Sequence, residues 1–253
     1  MSENREVASL LEIEDLTIAA AGRPLLSGVS VDVERGSGLA LVGGSGSGKT
    51  TLLRACMGLL PPGFRASGRI GWQGRDLLQQ SGAQWRRTRG REISWIPQEP
   101  SAALDPRRTA LQHLRESGAR AEELAAVGIE PARAREYPFQ WSGGMQQRLL
   151  VAMALARRSA LLLADEPTSA LDSIEQARLL ALLAELQKKQ GFAMIFVTHD
   201  LAVASQVAAR VAVLQRGAIV EQGEALAVLR QPRHEHTRIL AACQPRWAER
   251  REA

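Results

Sequence analysis

The chain has 253 residues, 45% of them hydrophobic and 23% charged, with a net charge of +5. That length suits one large α/β domain with room for an inserted subdomain, and the composition excludes a disordered or fibrous chain. No apolar run approaches the ~18 residues of a membrane-spanning helix; the stretch 149–156 is short and amphipathic. The polar start, 1–6, has no apolar core of the kind a secretory signal needs. The two cysteines, Cys56 and Cys243, match no disulfide or zinc pattern, which fits a reducing compartment. Lysine is confined to Lys49, Lys188 and Lys189, so the basic charge is almost entirely arginine. Its densest run, 85–91, has no interleaved aromatic platform, and we read it as a solvated or subunit-facing surface rather than a nucleic-acid site.

In chain order, residues 10–19 and 29–33 have strand character, separated by turns at 22–24 and 27–28. A short apolar strand at 39–42 is bounded by glycines. A glycine-rich loop follows, and then a helix over 50–60 that Pro61-Pro62 should stop. From Trp85 to Arg158 the character is helical, broken by Gly118, Gly128 and Pro131 into several short helices. The apolar run 161–164 returns the chain to a sheet. A helix over 173–190 opens with Asp172 and Glu175 at capping-box spacing. A buried strand at 194–197 precedes a hairpin over 211–220 that turns at Arg216-Gly217. The tail beyond Gln231 is polar and arginine-rich.

The glycine-rich loop, Gly43-Gly44-Ser45-Gly46-Ser47-Gly48-Lys49-Thr50 with Thr51 after it, has the spacing of a phosphate loop. Glycines let backbone N–H groups approach phosphate oxygens that a Cβ would block, and the following helix directs its positive end at the same anion. Lys49 supplies a cation for the outer phosphates, and the Thr50 hydroxyl suits Mg²⁺. At the end of the 161–164 strand stand Asp165 and Glu166. Two carboxylates at an apolar sheet edge need a cation or a polar ligand to occupy them. Asp165 would hold Mg²⁺, and Glu166 would polarise an attacking water as general base. Taken alone, this pair also reads as a solvated acidic turn, Gln98 as a surface amide and His199 as a strand-end histidine.

Across nearly its whole length the chain resembles the ATPase subunits of ATP-binding cassette (ABC) transporters. Six motifs carry the likeness in order: the phosphate loop, Gln98 within 96–100, Ser142-Gly143-Gly144-Met145-Gln146-Gln147-Arg148, Ala164-Asp165-Glu166-Pro167-Thr168, Ser169-Ala170-Leu171-Asp172, and Thr198-His199-Asp200. The resemblance implies an α/β phosphate-loop (RecA-like) core with an N-terminal antiparallel β subdomain, over 1–84 and 159–230. It also implies an inserted helical subdomain over 85–158 and a C-terminal tail over 231–253. Further implied are ATP and Mg²⁺ as cofactors, His199 on the γ-phosphate, Gln98 sensing Mg²⁺ and the membrane part, and Asp172 coupling two sites. Ser142, Gly143 and Gly144 would serve the nucleotide of a second ATPase subunit, a paralogous sister, in a head-to-tail dimer. Two permeases and an extracytoplasmic binding protein would complete the machine at the cytoplasmic face of the inner membrane.

Two positions depart from that pattern. Trp141 replaces the usual leucine, which implies altered packing, and Ala19-Ala20-Ala21 stand where an adenine-stacking aromatic is expected. Residues 100–106 and the His234-Glu235-His236-Thr237 string resemble the peptide and nickel importer branch. The short length and the Gly43-Gly44 opening are most similar to nickel-import ATPases, with a di- or oligopeptide importer or a phosphonate-cleaving enzyme complex as alternatives. His234 and His236, without further ligands, make a poor metal site.

Overall fold

The computed structural model describes residues 9–243, so the polar start and the last ten residues of the tail lie outside it. Its first half contains β1 (Ser9–Ala20), β2 (Arg23–Glu34), β3 (Gly38–Val42), α1 (Lys49–Cys56), β4 (Phe64–Trp72), β5 (Arg75–Asp76), α2 (Gly82–Thr88), β6 (Ile93–Ile96), α3 (Pro100–Ala103), α4 (Ala110–Ser117) and α5 (Glu123–Ala126). Then come α6 (Gly143–Leu155), β7 (Leu161–Asp165), α7 (Ser173–Gln190), β8 (Ala193–Thr198), α8 (Leu201–Val207), β9 (Arg210–Gln215), β10 (Ala218–Glu224), α9 (Ala225–Arg230) and α10 (Glu235–Ala242). The chain divides into two compact units, one running to Arg86 and resuming at Ala193, the other Arg87–Phe192.

The first unit holds an antiparallel sheet in the order β2-β1-β4-β5. Ala21 and Gly22 turn β1 into β2 with φ of 49° and 75°, the left-handed pair that a two-residue hairpin demands. The first expected turn thus falls at Ala21-Gly22 rather than over 22–24, and β2 takes in Arg23-Pro24 and runs straight through Ser27-Gly28. It is an edge strand, where Pro24 costs no ladder bond, and the register shifts around Leu16 and Ile18 absorb Ser27-Gly28 as irregularity. In the same unit β3 lies parallel to β8 and to β9, and β10 pairs antiparallel with β9. Every residue of β3 and β8 is buried, as expected of strands covered on both faces. Arg216 and Gly217, at φ of 48° and 84°, make the expected hairpin turn.

Two expectations for this unit need correction. The helix after the glycine loop ends at Cys56 rather than residue 60, because Gly58 stops it before the prolines. Gly58 is left-handed at φ 58°, its N–H reaches Ala55 O, and the Leu59 N–H reaches back to Arg54 O at 2.8 Å. A Cβ on Gly58 would also stand 2.3 Å from the Trp85 ring. Residues 64–76, read as no element, form β4 and β5; Ala66 and Gly68, on the apolar side of the alternation, are small and exposed and weaken the pattern there. The described part of the tail is ordered structure as well. In α10, Leu240 and Ala241 pack against the cluster of Ala40, Val42, Leu201, Val213 and Val228.

The second unit contains β6 parallel to β7, from Ile93↔Leu161 to Ile96↔Ala164, with helices and 3-10 turns. The stretch 85–158 is therefore not helical throughout. Four residues, Ile93-Ser94-Trp95-Ile96, are too few for periodicity to mark as a strand. Thr109 and Gln112 form a capping box on α4, and left-handed Gly118 ends that helix.

Cys56 is fully buried, and burial pushes its thiol up to about 12, whereas Cys243 is exposed. A thiol reagent at pH 8 should modify one cysteine in the native chain and both after unfolding. In the first unit, Arg210 donates to both Asp32 carboxylate oxygens, at 2.6 and 2.9 Å, and holds that carboxyl below its usual range. The lowered native value means the pair stabilises above the unfolded pKa of about 3.9 and loses this as pH falls further. Asp32→Asn should cost under about 1 kcal/mol at pH 7, since both groups are partly exposed, and the difference in urea midpoint should shrink towards pH 3.

Candidate active site

The phosphate loop leaves β3 at Gly43 and enters α1 at Lys49. Gly43 is fixed by space: a Cβ would stand 2.3 Å from Leu214 O and 2.7 Å from Ser47 Oγ. Gly46 and Gly48 are fixed by conformation, with φ of 74° and 108°. Gly48 caps α1 without a side chain, which suits an anion in the capping place. Lys49 is buried, and its Nζ donates to Gly43 O at 2.7 Å and to Gly44 O at 3.0 Å, inside the curve of the loop. Ser47 Oγ is buried with no hydrogen-bond partner among the described residues, a polar group that a phosphate would satisfy. The loop is held from outside by the β9–β10 turn: the Gly217 N–H donates to Ser47 O at 3.0 Å, while Gly217 O accepts from Ser27 N–H at 2.8 Å.

His199 follows β8 in the same unit and is exposed. Next to it, Asp200 caps α8 by accepting from Ala202 and Val203 N–H at 2.7 and 3.0 Å.

In the second unit, Asp165 is the buried last residue of β7. Glu166 is half-buried, and its φ of 42° is a left-handed conformation that costs a non-glycine residue roughly 1–2 kcal/mol. The turn that holds it has the Ser169 N–H on Glu166 O at 3.1 Å and the Leu171 N–H on Thr168 O at 3.2 Å. Strained backbone of this kind clusters at functional sites. Gln98 lies exposed beyond β6. Asp172 caps α7 through Oδ1, accepting from Ile174 and Glu175 N–H at 3.0 and 2.9 Å. The reciprocal half of the expected capping box is not formed. The Glu175 side chain turns instead to Arg148 at 3.2 Å and Arg178 at 2.7 Å.

Ser142 caps α6, accepting the Met145 N–H at 3.3 Å. A Cβ on Gly143 would meet nothing within 4 Å, whereas one on Gly144 would stand 2.8 Å from Glu175 Oε2. Gly143 thus keeps the helix start open, and Gly144 lets α6 approach α7. Trp141 is buried, its Nε1–H donates to Glu136 Oε2 at 2.6 Å, and Arg133 lies 5.7 Å from its ring centroid. The Arg133 guanidinium, and then the indole N–H, hold the Glu136 carboxyl below its usual range. Gln146 Nε2 donates to Pro138 O and Trp141 O at 2.9 and 3.2 Å, pinning the turn ahead of Ser142. Sequence reasoning missed Glu136 and Arg133 because nothing in their spacing distinguishes them from surface charge, and it placed Glu175 in a cap rather than on Arg148 and Arg178.

A strand–glycine loop–helix cradle with a buried lysine, together with a strand ending in two acids, defines a phosphate-loop nucleoside triphosphatase. Within that class the chain belongs to the ATP-binding proteins of ABC transporters: the family model described as ABC transporter matches residues 26–169. The oligopeptide transport ATP-binding protein OppD of Bacillus subtilis (strain 168) is 39% identical over 260 residues, spanning 94% of this chain and 73% of its own length. The oligopeptide transport ATP-binding protein AmiE of Streptococcus pneumoniae is 40% identical over 262 residues, spanning 97% and 72%. Among solved structures, cbiO1 from Clostridium perfringens superimposes with a TM-score of 0.79 at 26% identity, over 97% of this chain and 99% of that one. The dimeric cassette MJ0796 gives 0.74 at 28%, over 85% and 98%. The chain is accordingly an ATPase whose hydrolysis of ATP drives transport, of a family whose cassettes work as dimers with membrane permeases. Among the described residues no helix is long and apolar enough to cross a membrane.

Replacing Trp141 by the leucine usual in the family should remove the indole bond to Glu136 and lower the melting temperature by roughly 2–6 °C. Nucleotide affinity of the isolated chain, measured by titration calorimetry, should not change, because the hydrogen bonds that shape the phosphate loop come from Lys49 and Gly217.

Proposed function

We propose that this chain is the energy-coupling subunit of an oligopeptide-type importer, working beside a sister ATPase beneath two permeases at the cytoplasmic face of the membrane. The observation that carries the cargo class is identity of 39–40% to OppD and AmiE, both named for oligopeptide transport, over 94–97% of this chain. Nickel, the cargo expected from the short length, has no such support. His234 Nδ1 is occupied as the cap of α10, accepting the His236 N–H at 3.1 Å.

In this reading the loop from Gly43 to Gly48 wraps the phosphates of ATP with backbone N–H groups, and Lys49 leaves its carbonyl partners for the β- and γ-phosphates. Thr51 extends the same helix start. Thr50, Asp165 and Gln98 are the residues that would hold Mg²⁺, which when bound neutralises phosphate charge. Glu166 accepts the proton of the attacking water, and His199 donates to the γ-phosphate. Ser142, Gly143 and Gly144 present the positive end of α6 to the nucleotide of the sister subunit. Asp172, by fixing the start of α7, keeps the loop after Glu166 in place. The segment 85–158 carries the partner-facing surface, and a separate extracytoplasmic protein selects the cargo.

Glu166→Gln should lower ATP hydrolysis by roughly 10²–10⁴-fold while leaving ATP binding intact, in a phosphate-release assay paired with calorimetry. A variant with near-normal turnover would remove Glu166 from the role of base.

A further inference from the structure

The phosphate loop accounts for the phosphates of a nucleotide but provides nothing for its base. β1 ends in Ala19-Ala20, with no ring to stack on. The sheet, however, sets Ala20 directly opposite Arg23 of β2 on one side and Phe64 of β4 on the other. Directly opposed residues of an antiparallel sheet share a face, with Cβ atoms about 4.5–5.5 Å apart. Three strands therefore end in one row: a guanidinium, a methyl-sized gap and a phenyl ring.

That row lies on the face that reaches the phosphate loop. Two residues before Ala20, Ile18 pairs with Leu26, and both are buried. Leu26 is what the last loop glycine packs against: a Cβ on Gly48 would stand 2.5 Å from Leu26 Cδ2 and 3.1 Å from Leu25 O. Two residues of strand advance about 7 Å, a step of the order that separates the phosphates of a nucleotide from its base. Accessibility selects the same ring. Among the described aromatic residues of this unit, Trp72, Trp85 and Phe196 are buried, and Phe64 is half-buried. Phe64 also lines a cavity of about 590 Å³ with Ala55, Ala66 and Trp85.

We propose that Arg23, Ala20 and Phe64 form the seat of the purine base. Phe64 stacks on one face of the base, the planar guanidinium of Arg23 covers its other side, and Ala20 is the floor whose small side chain leaves the room. The aromatic partner is thereby supplied by the neighbouring strand β4. The inference rests on the phosphate loop being the nucleotide site, so its test separates the two.

The test titrates the full-length chain with MgATP and, separately, with inorganic triphosphate, which has no base. Phe64→Ala should weaken ATP binding by roughly 5- to 100-fold, the range of one stacked base, and leave inorganic triphosphate binding unchanged. Phe64→Tyr should bind both like the parent, and adding Ala20→Tyr to Phe64→Ala should restore ATP binding. Unchanged ATP affinity in Phe64→Ala overturns the proposal, and so does an equal loss for both ligands. Lys49→Ala addresses the underlying reading: it should abolish binding of both ligands, and if it alters neither, the phosphate-loop assignment itself fails.

Discussion

The backbone of Gly217 ties the phosphate loop to the strands beside it. Its N–H holds Ser47 O and its carbonyl holds Ser27 N–H, so one residue bridges the loop, the β9–β10 turn and β2. No side chain could stand there, because a Cβ would lie 2.4 Å from Leu25 O and φ is 84°. Each of these hydrogen bonds contributes only about 1 kcal/mol net, yet together they set the curvature on which the loop depends. With Ser47 O held outward, the loop curls around Lys49, and Gly43 and Gly48 close against Leu214 and Leu26. Chemistry at the loop thus rests on a contact made by a residue with no functional group.

The features that were readable from residues alone are those whose physics is local. Buried β3, β7 and β8 announce themselves as unbroken apolar runs, and the phosphate loop as glycines at fixed intervals. The Arg216-Gly217 hairpin is readable because a turn needs left-handed residues. Other features depend on who stands opposite. β4 is hard to see because Ala66 and Gly68, on the apolar side of its alternation, are small and exposed, and β6 because four residues are too few to set a period. α1 ends early through Gly58, whose role comes from the Trp85 ring packed on it. Glu175 satisfies the spacing of a capping box, but two arginines draw it away. The nearness of Phe64 to Ala20 is a fact of register, 44 positions apart in the chain, that no local pattern contains.

The two compact units hold their functional groups by different means. In the first, the loop is shaped by glycine and backbone, with Lys49 drawn into its curve. In the second, the groups stand at element ends: Asp165 closes β7, Ser142 starts α6 and Asp172 starts α7. Glu166 sits in a left-handed conformation, held by the short hydrogen-bonded turn after it.

The turn ahead of Ser142 is braced by several side chains. Trp141 is anchored to Glu136, Glu136 to Arg133, and Gln146 ties down two carbonyls of the same turn. A loop that must order itself when a partner arrives adds that lost conformational freedom to the cost of association. Here the freedom is already surrendered when the chain folds. In the proposed dimer Ser142 and Gly143 would therefore meet the sister subunit already ordered, leaving whole-body movement rather than local ordering at this helix start as the source of any change of shape.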